Sequence, residues 1–91
     1  MKIILNKGIT VKNELKKEVD LDFDKLTGND FIAAEKEVRQ LGDQSPSVVL
    51  SMNYQAALVA RIIGVPVDDV LALPGSDFKK LILPAANFLL S

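Results

Sequence analysis

Leu26–Glu35, LTGNDFIAAE, is where the spacing of apolar residues changes from every second position to every third or fourth. Thr27 is placed to cap a helix: its hydroxyl can accept from an unpaired first-turn N–H, and Asp30 three residues on completes a capping-box-like pattern. An acidic group there also meets the positive end of the helix. Phe31, Ala34, Val38 and Leu41 then recur at helical spacing, with Glu35, Lys36, Glu37, Arg39 and Gln40 on the other face and Gly42 as the stop. The stretch reads as a hinge from sheet to helix.

Upstream of the hinge, Ile3, Leu5, Ile9, Val11, Leu15, Val19, Leu21 and Phe23 all fall at odd positions, with Ile4 the exception. A period of two predicts strands with one buried face. Lys12-Asn13 supplies the turn of a β-hairpin, and Gly8 marks a bulge or bend in its first strand. An isolated hairpin is marginal in water, so this one must lay its odd face on helices from the remainder of the chain.

Downstream, DQSPS (43–47) has the composition of a linker. A second helix is expected over about Ser51 to Ile63, ending at Gly64. A short third begins after Pro66, with Asp68 and Asp69 near its positive end. A final helix starts near Ser76 or Asp77 and carries Phe78, Leu81, Ile82, Ala85 and Leu89. Pro84 lacks an N–H and crowds the preceding turn, which predicts a kink or break there. The expected fold is α+β: one domain over residues 1–91, with a hairpin in 1–26 and about four helices in 27–91.

Composition removes most catalytic chemistry. The 91 residues include no Cys and no His, so disulfides, thiolate or imidazole metal ligands and the commonest general base are all missing. Net charge is −1 and neither the hairpin nor the helical part carries a large basic excess, a poor basis for binding phosphates. Asp20, Asp22 and Asp24 alternate like the start of a calcium loop. However, Lys25 stands where that loop needs Gly and Phe31 where it needs Glu, so they read as a solvated strand face. GSDF (75–78) reverses the Asp-Ser order of a carrier-protein attachment motif and reads as a helix cap through Ser76. Without a base, an activated nucleophile or an Arg cluster, no enzyme and no cofactor are expected. No export signal or membrane span is evident, which points to an intracellular protein.

Apolar residues are unevenly distributed: Val48–Ser91 holds 27 in 44 positions, against 17 in the preceding 47. A small domain hides only about 60–70% of its unfolded surface, so a greasy carboxyl-terminal region is expected to leave an apolar patch for a partner or a second copy.

The order of features resembles the small tail assembly chaperones of Mu-like and related long-tailed bacteriophages. The resemblance is carried by Ile3 and Leu5, by Thr27 and Asp30, by Ile62, Gly64, Asp69 and Leu73, and by Asp77, Phe78, Leu81, Phe88 and Leu89, and it spans nearly the whole chain. It implies a non-enzymatic protein of the infected cell's cytoplasm, absent from the mature virion. Such a protein binds the long helical tape measure protein, keeps it soluble and helps tail tube subunits assemble around it. Members often have a longer frameshifted product. A homo-oligomer is expected as well. The residues expected to contact the client by helix-in-groove packing are Phe78, Leu81, Ile82, Phe88 and Leu89. The rival readings are a structural or self-associating phage protein and a small DNA-binding regulator, for which Val48–Leu73 offers only Arg61 as a cation.

Overall fold

A computed structural model describes all residues, Met1–Ser91. Strands β1 (Lys2–Val11) and β2 (Glu14–Asp20) form an antiparallel pair, followed by helices α1 (Gly28–Gln40), α2 (Met52–Ile63), α3 (Val67–Leu71) and α4 (Gly75–Leu90). Short 3-10 turns at Phe23–Lys25 and Val48–Leu50 lead into α1 and α2. The α+β expectation, a hairpin and then four helices, holds.

Lys12 and Asn13 both have positive φ, 52° and 66°, the backbone of a type I′ turn whose twist matches the flanking strands. The predicted interruption at Gly8 is larger than one bulged residue. Ile4 pairs with Glu18 and Ile9 with Lys16, so Leu5, Asn6, Lys7 and Gly8 oppose Lys17 alone, an excess of three on β1. Partners across a ladder point to the same side, and an odd excess exchanges the sides beyond it. Ile3 shares its side with Val19, but Ile9 shares its side with Lys16, and Leu15 stands opposite Thr10. Leu5, Ile9 and Val19 are buried whereas Leu15 is 58% exposed, so the expectation that every odd apolar residue faces the core fails at Leu15.

The core is one cluster of 18 buried apolar residues drawn from both strands and all four helices. At its centre lies α2, buried without interruption from Tyr54 to Ala60 and packed against α1, α3 and α4. Its sequence, MNYQAALVARII, explains this: with Arg61 as the single charge and small Ala56, Ala57 and Ala60 among its side chains, neighbours approach closely from several sides. The two polar side chains caught inside are satisfied, Tyr54 donating to the Phe31 carbonyl (3.3 Å) and Gln55 to the Val49 carbonyl (3.1 Å).

Helix ends follow the sequence with local changes. Thr27 and Asp30 form the capping box that the sequence suggested: the Asp30 carboxylate accepts from the Thr27 backbone N–H (2.9 Å), and the Thr27 hydroxyl also donates to it (3.3 Å). DQSPS is tightly organised for a linker. Asp43 accepts from the Ser45 hydroxyl and N–H (2.9 Å for the N–H), from Asn53 (3.1 Å) and from the Ser51 hydroxyl, while Arg39 donates to the carbonyls of Asp43 and Ser45. Those donors hold the Asp43 carboxyl far below the usual range, the Ser45 hydroxyl contributing most. Asp22 caps the first 3-10 turn by accepting from the Asp24 N–H, and β2 ends at Asp20, so the three alternating aspartates do not form one strand face. Finally, α4 runs through Pro84 without a break. Leu81 and Ile82 before the proline and Ala85 after it are all buried, and this common packing outweighs the lost hydrogen bond.

Gly8 and Gly64 share a left-handed φ, 92° and 90°, but differ in surroundings. A Cβ on Gly8 would lie 2.7 Å from the Lys16 carbonyl oxygen, while one on Gly64 meets open space. Gly64→Ala is therefore expected to cost about 1–2 kcal/mol, the left-handed penalty alone. Gly8→Ala is expected to cost about 3 kcal/mol or more because backbone must also move. Urea denaturation of the two variants checks the order; equal losses would refute the steric contact at Gly8.

Candidate functional site

The surface that the sequence points to is built on α4, and α4 is fixed by its first turn. Asp77 is fully buried. Its carboxylate accepts three backbone N–H groups that the wide bulge of β1 removes from the ladder: Asn6 (2.6 Å), Lys7 (2.8 Å) and Gly8 (3.1 Å). Burial pushes the carboxyl up, but the three amides and Lys80 more than offset it, leaving the group below the usual carboxylate range. One turn on, the Lys80 ammonium donates to the Ile4 carbonyl (3.3 Å) and the Asn6 side-chain oxygen (3.1 Å). Ser76, expected as the cap, accepts instead from the Asn6 side chain (3.5 Å), and Pro74 occupies the N-cap position.

With that end pinned, the rotation of α4 is set. Leu81, Ile82 and Ala85 face the core and are buried; Phe78 and Leu89 are half-buried against it. Phe88 is 38% exposed and stacks on Phe23 (centroids 5.0 Å apart, 14° between planes), with Phe31 beyond (6.4 Å, 10°). The five expected contact residues thus divide into two that support the helix, Leu81 and Ile82, and three that reach its flanks.

Lys79, Leu83, Ala86 and Leu90 recur at four- and three-residue spacing and so share the outward face. Leu83 is 59% and Leu90 61% exposed. Sequence reasoning missed them because it followed only the strongest apolar stripe, although a helix apolar on all sides already implied a second. The Val48–Leu50 turn packs against α4, and its Leu50, together with neighbouring Met52, is exposed too.

Arg61, the lone cation of the middle segment, is engaged: its Nε and one terminal nitrogen each lie 3.1 Å from an Asp30 oxygen. The Thr27 N–H first, and then Arg61, hold the Asp30 carboxyl below its ordinary value. This pair ties the start of α1 to the end of α2, and leaves a phosphate backbone no free cation from Val48 to Leu73. No helix is long and apolar enough to cross a membrane.

A family model described as "Phage tail assembly chaperone proteins, E, or 41 or 14" matches residues 2–89. No curated protein and no solved structure matches the chain.

Because the native carboxyl of Asp77 lies below its unfolded value, its contribution is complete above the ordinary carboxylate range. That contribution is lost as pH falls from near 4 toward the lowered native value. Asp77→Asn substitutes a neutral amide that turns a donor toward three donors. Its Tm is expected to fall by on the order of 10 °C at neutral pH, with the gap to wild type narrowing below pH of about 4. Thermal melts across pH check this, and a gap that does not depend on pH would refute the charged latch.

Proposed function

We propose, starting from the chain's membership of the phage tail assembly chaperone family, that it binds the tape measure protein through the outer face of α4. By covering that long helical client the protein keeps it soluble while tail tube subunits polymerise around it. The role is non-enzymatic, is carried out in the cytoplasm of the infected bacterium, and ends before the particle is complete.

The observation that carries the reading is the apolar stripe Leu83-Ala86-Leu90 on a helix whose opposite side is already satisfied by the core. Leu83 and Leu90 lie two turns apart, roughly 10 Å, the spacing at which an amphipathic client helix presents its own i and i+7 anchors. Phe88 supplies an aromatic edge, Phe78 and Leu89 the flanks, and Leu81 and Ile82 the support beneath. Covering each exposed leucine contributes about 1–2 kcal/mol, enough to change affinity roughly tenfold apiece.

Co-expression with the tape measure protein of the same phage tests this. Wild type is expected to hold the client in the soluble fraction and to co-purify with it. Leu83→Asp combined with Leu90→Asp is expected to lose at least about a hundredfold in affinity with little change in Tm, since both positions are already exposed. Client that stays soluble without this chain, or undiminished capture by the double variant, would count against the proposal. Mass spectrometry of purified particles separates an assembly factor from a structural component, the first being absent.

A further inference from the structure

Most residues that carry the family resemblance have work within the fold: Thr27 and Asp30 close a helix end and hold Arg61, Gly64 ends α2, and Asp77 fastens α4. Asp69 differs. It lies in the first turn of α3, exposed, with no ion pair and no side-chain hydrogen bond within the chain. It stands on the rim of a cleft of about 270 Å³ lined by Gly8, Ile9, Thr10, Ala72 and Leu73. Thr10 faces Leu15 across the hairpin, so the large apolar side chain that the odd bulge turns outward stands beside the cleft. At the tip of the same hairpin Lys12, exposed and also without an ionic partner, is held in a left-handed conformation by the type I′ turn.

We propose that this cleft receives the Lys12 side chain of a second copy of the chain, in a two-fold dimer that also covers Leu15. The methylene stem of Lys12 suits walls made of Ile9, Ala72 and Leu73, and its ammonium meets the free Asp69 carboxylate at the rim. Donor and acceptor lie close together, since Lys12 is two residues from Thr10. Two hairpin ends set side by side about a two-fold axis therefore satisfy both clefts at once, as an isologous interface requires. A net charge of only −1 opposes such pairing little. The interface lies apart from the outer face of α4, so each dimer offers two client-binding helices. The inference concerns self-association and stands or falls independently of the client.

Sedimentation equilibrium of the purified full chain tests it. Wild type is expected at twice the 9.9 kDa chain mass, with a dissociation constant that rises with salt because the rim pair is exposed. Lys12→Asp and Asp69→Lys are each expected to raise that constant at least about tenfold, and the two together to restore it. Both positions are exposed and unpaired, so an unchanged circular dichroism spectrum should accompany each single variant, while Tm falls only by the stabilisation that association supplies and by the loss of an acidic group from the first turn of α3. A monomeric wild type, singles that dimerise normally, or a reversed pair that fails to recover would overturn the proposal. So would a dimer abolished by Leu83→Asp and indifferent to Asp69→Lys, which would place self-association on α4.

Discussion

One carboxylate organises the relation between sheet and helices. A bulge four residues wide leaves three adjacent amide groups without ladder partners, and unpaired amides inside a protein are costly. Asp77 takes all three, from a position in the first turn of the terminal helix. The acceptor satisfies amides that the bulge takes out of the ladder, Gly8's being buried, and a buried carboxylate would be intolerable without those donors. Each satisfies the other, and together they join residues some seventy positions apart. The rotation of α4, and so the choice of which leucines meet solvent, follows from this one contact.

Much of the architecture was legible in the sequence because it arises locally. The switch in apolar period at Leu26–Glu35, the turn at Lys12-Asn13, the helix ends at Gly42 and Gly64 and the breadth of the apolar surface on α2 each depend on a few neighbouring residues. What was not legible depends on partners distant in the chain. GSDF suggested a cap, since nothing local reveals that Asp77 will find its donors on β1. Pro84 left a break open as one outcome, since the packing that carries α4 past it without one comes from other elements. Gly8 gave away the interruption of β1 but not its width, and the width decides the fate of Leu15. Of the residues expected at the interaction surface, Phe78, Phe88 and Leu89 reach the flanks of α4 and Leu81 and Ile82 hold it from within, while the exposed Leu83 and Leu90 of the proposed surface lie on the side of the helix left unread.

The residues behind the family resemblance are mostly builders of the frame. Capping pairs, a left-handed helix end and a carboxylate latch fix where the helices lie, while the outer face of α4 proposed to meet a client is made of interchangeable aliphatic side chains. Aliphatic contacts of this kind tolerate many registers where a hydrogen-bonded site accepts one, which suits the long helical client proposed above. The stacked Phe23, Phe31 and Phe88 give the end of α4 a firm footing, so the greasy face is carried by a rigid element and not by a loop.

The hairpin also carries an arithmetical constraint on how this chain can lengthen or shorten. Because the excess on β1 is three, parity alone decides which side of the ribbon its tip presents. An insertion or deletion of a single residue between Leu5 and Gly8 would invert the tip, turning Leu15 toward the helices and Lys16 toward water, though no side chain had been replaced. An insertion of two would preserve the pattern, whereas a deletion of two would take away amides that Asp77 accepts. Insertions tolerated in this hairpin should therefore come in even steps, a signature that a catalogue of substitutions would never reveal.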